Sequence, residues 1–253
     1  METLALETAG PVARLSLDRP DQRNAMSALL VAELGECLQQ LEGDPQIRTI
    51  VLSGSGRGFC AGSDLSELAA MDAAGREAFE AESGRLARLI WNLETPVIAA
   101  VTGFAIGGGF TLATSCDIVV TAPDAKWSLP EVPIGLFPAW GIDSVVLRAG
   151  QARARRLCWG IDILDGQQAI EAGLADELAD DPIAAAHELA QKLAALPPNP
   201  PQRSSATSLR PGRRRQATLR PIAISCNAAT PPKPPPASSA TARAGSHAAD
   251  QRM

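Results

Sequence analysis

Apolar and polar positions alternate along the chain in two different periods. Val12 to Leu17 (VARLSL) changes character at nearly every residue, the period expected of a half-buried strand. Arg19-Pro20-Asp21 then turns the chain. Ser27 is placed to cap a helix running to about Leu41, with Leu29, Leu30, Leu34, Leu38 and Leu41 at helical spacing. Ile47 to Leu52 (IRTIVL) reads as a strand closed by Ser53-Gly54-Ser55-Gly56. Ala73 to Asn92 predicts a long helix, and Pro96 to Val101 (PVIAAV) another strand. After a cluster of glycines, Phe110 to Ala113 predicts a short buried helix and Asp117 to Thr121 a strand. Ser144 to Trp159 reads as one helix, and Gln167 to Ala172 as another, stopped by Gly173 before the segment Leu174 to Leu178. Pro182 to Leu196 predicts a last amphipathic helix. Strands alternating with helices define an α/β class, with no repeat at solenoid periods.

Beyond Leu196 this pattern stops, and the composition changes with it. Residues 1–196 carry 14 basic and 27 acidic side chains, a net of −13, whereas residues 197–253 carry 9 and 1, a net of +8. The second part also holds 11 of the 20 prolines. The chain therefore divides into a core, 1–196, and a Pro/Arg/Ala/Ser-rich basic tail, 197–253, expected to be disordered. The formal charge of −5 gives no overall nucleic-acid footprint. No apolar run is long enough to span a bilayer. The first residues, METLALETAG, are acidic where a secretory signal would be basic. A cytoplasmic protein with neither nucleic-acid nor membrane partners is expected. Cys37, Cys60, Cys116, Cys158 and Cys226 are irregularly spaced without a CxxC, and with only His187 and His247 to assist them, no metal site is expected. Acid–base chemistry should then fall to carboxylates.

Three glycine-containing segments lie where strands hand over to helices. The first, Arg57-Gly58-Phe59-Cys60-Ala61-Gly62-Ser63-Asp64-Leu65, has the small residues that let a ligand approach the backbone, although a loop with Asp64 as a helix cap accounts for the same residues. The second, Thr102-Gly103-Phe104-Ala105-Ile106-Gly107-Gly108-Gly109-Phe110, suggests backbone donors aimed at an anion. A P-loop fails here, because no Lys-Ser or Lys-Thr follows. The third, Trp127 to Pro138 (WSLPEVPIGLFP), isolates Glu131 in an apolar run. If buried it should have the raised pKa of a general acid or base; capping or solvent exposure is the alternative.

In this order and spacing, FCAGSDL, GFAIGGGFTLATSCDIVV and LPEVPIGLFP resemble the signature of the crotonase (enoyl-CoA hydratase/isomerase) superfamily. Arg19-Pro20 with Arg23-Asn24-Ala25-Met26 resembles the family's early coenzyme A loop. Gln167 to Asp176 (QQAIEAGLAD) resembles its later A-x-x-x-G-L-V-D segment. The resemblance covers about residues 4–195 and implies a ββα spiral core with surrounding helices, acting on an acyl-CoA thioester with no cofactor beyond coenzyme A itself.

The resemblance also implies roles. The amides of Ser63 and Gly108 would bind the thioester oxygen, and Glu131 would carry the proton. Thr111 stands where family hydratases have a second glutamate. A hydroxyl can hold a water but cannot deprotonate it at neutral pH, so isomerase-type proton transfer is favoured over hydration. Arg23 would meet phosphates, Ala25 and Ala61 would flank the acyl-carrying arm, and Asp64 and Leu65 would match the adenine-side turn; Arg23 as a plain surface charge is the alternative. Trp140 would reshape the acyl pocket or serve as a core aromatic. Rival readings are a crotonase-type lyase or hydrolase and a non-catalytic acyl-CoA-binding pseudoenzyme. The feruloyl-CoA lyase type grips its ring with tyrosines, and this chain has none. Family members continue past the last helix with helices that cover the acyl site and build trimers or dimers of trimers. The abrupt change near Pro198 therefore predicts a frameshifted or otherwise aberrant end, with a lineage-specific tail or a basic interaction arm as alternatives.

Overall fold

The structure, a computed structural model, describes residues 1–197. Expectations for the tail, Cys226 and His247 lie outside them. Strands β1 (Leu4–Ala9) and β2 (Val12–Leu17) form an antiparallel hairpin. Strands β3 (Thr49–Gly54), β4 (Val97–Val101), β6 (Ile118–Thr121) and β9 (Glu177–Leu178) follow in parallel, giving one sheet in the order β1-β2-β3-β4-β6-β9. A small second sheet joins β5 (Phe104–Ile106), β7 (Lys126–Ser128) and β8 (Ile163–Leu164). This is the mixed α/β spiral expected from the resemblance.

The central strands are buried on both faces, as crossover helices require. On one face Leu15, Leu17, Ile50, Leu52, Val97, Ala99 and Val101 pack under helices α1 (Ala28–Gly43) and α3 (Ala73–Asn92) and against α4 (Gly108–Thr114). On the other, Val12, Val51, Ile98, Ala100 and Val120 are covered by α8 (Pro182–Ala194), through Ala186, Ala190 and Ala194 at four-residue spacing. Ser27 caps α1 as expected, its hydroxyl accepting from Leu30 N at 3.1 Å.

Several local expectations shift. Leu29, read as part of the apolar stripe of α1, is exposed. The strand read as 47–52 runs from Thr49 to Gly54, because register with β2 carries backbone pairing past the last apolar residue to Ser53 and Gly54. The single helix read over 144–159 is two, α5 (Ile142–Ala149) and α6 (Gln151–Cys158). Gly150 separates them at φ 77° and ψ 158°, a conformation no helix can contain. Strand β1 escaped notice because only Leu4 is buried in it, leaving no alternation to read. Helices α2 (Leu65–Ala70) and α7 (Gly166–Glu171) complete the set.

Candidate active site

The early loop and the FCAG-type segment are joined by main-chain hydrogen bonds. Met26 N donates to Gly62 O (2.8 Å), Asp64 N to Met26 O (2.9 Å) and Ala61 N to Arg23 O (3.1 Å). Arg23 and Asn24 both have φ 54°, in the left-handed region. Buried Asn24 holds that turn: Nδ2 donates to Ser55 O and Gly58 O at 2.9 Å, and Oδ1 accepts from Arg19 N at 2.9 Å. Arg19 ties the loop further, through Ala25 O and through Asp64 Oδ2 at 3.0 Å. Asp64 also caps α2, accepting from Ser66 N and Glu67 N. Burial pushes its carboxyl up, but the hydrogen bonds from Arg19 and the helix amides hold it below the usual carboxylate range. Arg23 and Leu65 are exposed, while Ala25 and Ala61 are half-buried behind them.

The second glycine segment packs directly onto the first. A Cβ on Gly109 would stand 2.3 Å from Cys60 O, and one on Gly62 would stand 3.2 Å from Gly108 N. Only glycine permits either approach; Gly62 also has φ 90°. Helix α4 begins at Gly108, two residues before the expected start, so the Gly108 amide lies in its first turn. Among the described residues, neither Ser63 N–H nor Gly108 N–H donates to an acceptor. Two free amides thus adjoin at the meeting of these segments. The edge-to-face contact of Phe110 with Trp127, at 5.4 Å between ring centroids, and the bond from Trp127 Nε1 to Thr121 Oγ1 (3.1 Å) fix α4 against β7.

Glu131 reaches the same place from the third segment. A Cβ on Gly107 would stand 2.8 Å from Glu131 Oε1. Its main-chain carbonyl is held by Ile134 N (3.1 Å) and Leu136 N (2.8 Å), and its side chain caps nothing. Oε2 is enclosed and, among the described residues, has no hydrogen-bond partner. Burial pushes the carboxyl above its ordinary value, its own amide pulls the other way, and the negative charge of Glu80 adds to the rise. Ser63, Gly108 and Glu131 are therefore brought together.

Two neighbours shape the site. Thr111 Oγ1 donates to Gly108 O (3.0 Å), so its proton is already engaged inside α4. Trp140 is buried, and its ring edge lies 2.9 Å from where a Cβ on Gly108 would be. It is both core aromatic and wall of the site. The cysteines among the described residues are free thiols, and burial pushes Cys60 up to about 12, so it stays protonated. The same residues hold no cluster of metal-ligating side chains and no helix long and apolar enough to cross a membrane. Sequence reasoning missed Glu80, whose only signal was its position on α3.

The α/β spiral thus brings free amides and a partly buried carboxyl together among its glycine turns. Residues 7–211 match the family model described as Enoyl-CoA hydratase/isomerase. A probable enoyl-CoA hydratase of Rhizobium meliloti is 35% identical over 202 residues, covering 75% of this chain and 76% of that one. The 1,2-epoxyphenylacetyl-CoA isomerase of Escherichia coli is 38% identical over 205 residues, 78% of each. The crystal structure of enoyl-CoA hydratase from Thermoplasma volcanium superposes with a TM-score of 0.76 at 30% identity, covering 84% of this chain and 86% of that one. The chain belongs to the enoyl-CoA hydratase/isomerase family, the crotonase superfamily.

Proposed function

We propose that this chain binds an acyl-CoA thioester and catalyses isomerase-type proton transfer through Glu131. The thioester oxygen accepts hydrogen bonds from Ser63 N–H and Gly108 N–H. In a 3-enoyl thioester, the Glu131 carboxylate removes a proton from C2. The C–H electrons move toward the carbonyl, and charge collects on the oxygen between the two amides. Fixed donors meet that charge without reorganising, and each is worth roughly 3–4 kcal/mol. Electrons then return, the double bond shifts to C2–C3, and Glu131 delivers the proton to C4. Burial suits Glu131 to this task, since a carboxyl titrating closer to neutrality both takes and gives protons.

Arg23, exposed at the mouth, is assigned to the coenzyme A phosphates. Ala25 and Ala61 flank the pantetheine arm, and Asp64 with exposed Leu65 takes the adenine side. The observation that carries the reading is the unpartnered Glu131 oxygen beside two unpartnered amides, with the hydroxyl proton of Thr111 already engaged elsewhere. The test is incubation with 3-enoyl-CoA and 2-enoyl-CoA in deuterated water, for the wild type and Glu131→Gln. Deuterium uptake and bond migration that disappear in the variant are expected. Formation of 3-hydroxyacyl-CoA would shift the assignment to hydration, and absence of thioester binding would remove it.

A further inference from the structure

Glu80 is a half-buried carboxyl that the proton transfer does not use. It lies on α3 and lines a cavity of about 370 Å³ with Gly84, Arg88, Trp140, Gly141 and Asp143. That volume lies within the roughly 300–1,000 Å³ of small-ligand sites. The cavity adjoins the anion cradle: the Trp140 ring rests on Gly108, and a Cβ on Gly141 would stand 2.5 Å from Thr111 Cβ. Gly84 opens a notch in α3 where the Arg88 guanidinium and Trp140 Cβ both approach, at 3.3 and 3.4 Å from where a Cβ would be. Among the described residues Glu80 has no hydrogen bond or ion pair, and burial alone raises its carboxyl.

Two carboxylates, Glu80 and Asp143, and two guanidinium groups, Arg85 and Arg88, line the cavity; Glu80 is the half-buried one, and a plain alkyl chain laid against it would leave it without a partner, which is costly. A terminal carboxylate on the acyl group would be repelled by Glu80 and Asp143; it could reach only the exposed Arg88, since Arg85 is already paired with Glu82, and would still leave Glu80 without a partner. A hydroxyl fits, because it donates to the ionised carboxyl and accepts from the protonated one. We propose that Glu80 is a specificity-determining residue that selects acyl chains bearing a hydroxyl group, met in the cavity between α3 and the start of α5. This rests on the acyl-CoA reading of the site.

The test compares, by calorimetry, binding of hexanoyl-CoA with binding of its derivatives hydroxylated at C4, C5 or C6. At least one hydroxylated thioester is expected to bind about tenfold more tightly to the wild type, the increment of one good hydrogen bond. Glu80→Leu should erase that preference, and Glu80→Gln, which can still donate and accept, should retain part of it. Equal affinities in the wild type, or a preference unchanged in Glu80→Leu, would overturn the proposal. If Glu80→Leu fails to fold, the wild-type comparison and Glu80→Gln still decide. A wild type that binds the series equally while exchanging C2 hydrogens sinks only the role of Glu80. One that binds none of the thioesters sinks the acyl-CoA reading with it.

Discussion

Glu131 sits where its charged form is least welcome, and two consequences follow at the scale of one residue. Its folded pKa is raised, so the base form is lost on acidification earlier than for an ordinary glutamate, near 4.3. The rate of C2 deuterium exchange should therefore fall as pH drops through a limb lying above that value. Glu80→Gln should move this limb down, since a neutral side chain no longer disfavours the Glu131 anion. Glu131→Gln should lower exchange by roughly 10²–10⁴-fold. For stability the sign is opposite. The raised pKa means that folding is penalised once Glu131 ionises, fully so above its folded value and not at all below its unfolded one. The same variant should therefore melt higher than wild type near neutral pH, with the gain vanishing under acid conditions, as calorimetry would record. Asn24 presents the reverse case: its removal in Asn24→Ala leaves the buried Gly58 carbonyl, the half-buried Ser55 carbonyl and the Arg19 amide without partners. A loss of about 2–3 kcal/mol in denaturant unfolding is expected.

At the scale of elements, the limits of the sequence have physical causes. Helix α3 was legible to its ends because twenty residues sustain one period and Asp72 caps the first turn. The break at Gly150 was not, because a glycine inside an apolar period is tolerated as often as it stops a helix. Gly150→Ala meets no neighbouring atom, yet φ 77° disfavours any side chain. It should cost about 1–3 kcal/mol through backbone strain alone, measurable by chemical denaturation. Strands β5 and β7, three residues each, carry too little pattern to be seen. They nevertheless hold both glycine turns in place, through Ile106 N to Cys60 O (3.0 Å) and Gly107 N to Ser128 O (2.9 Å). The motif residues of the site were therefore readable, while the small sheet that aligns them was not. Glu80 was hidden for a related reason: a glutamate on an amphipathic helix looks like solvated surface until the partner wall, from a segment sixty residues later, closes over it.

Across the whole molecule the sheet separates two jobs. Helix α8 packs on the face opposite the glycine turns, with Ala186 and Ala190 fully buried and Thr49 Oγ1 bonded to Ala190 O at 3.2 Å. Overfilling that contact with Ala190→Leu should cost about 1–3 kcal/mol and lower the melting temperature. The turnover number at permissive temperature should stay near that of the wild type, because α8 packs in a cluster that contains none of Ser63, Gly108 and Glu131.

The two glycine turns of the proposed site meet closely, with Gly109 packed against the Cys60 carbonyl and its Cβ, so that a side chain at 109 has no room. Its spacing is therefore set mainly by the main chain and the two glycines, Gly62 and Gly109. New chemistry on this scaffold can arise only around the rim, at positions such as 80, 111, 131 and 140. On the proposed reading, descendants of this chain could exchange the reaction they perform while inheriting the paired amides unaltered.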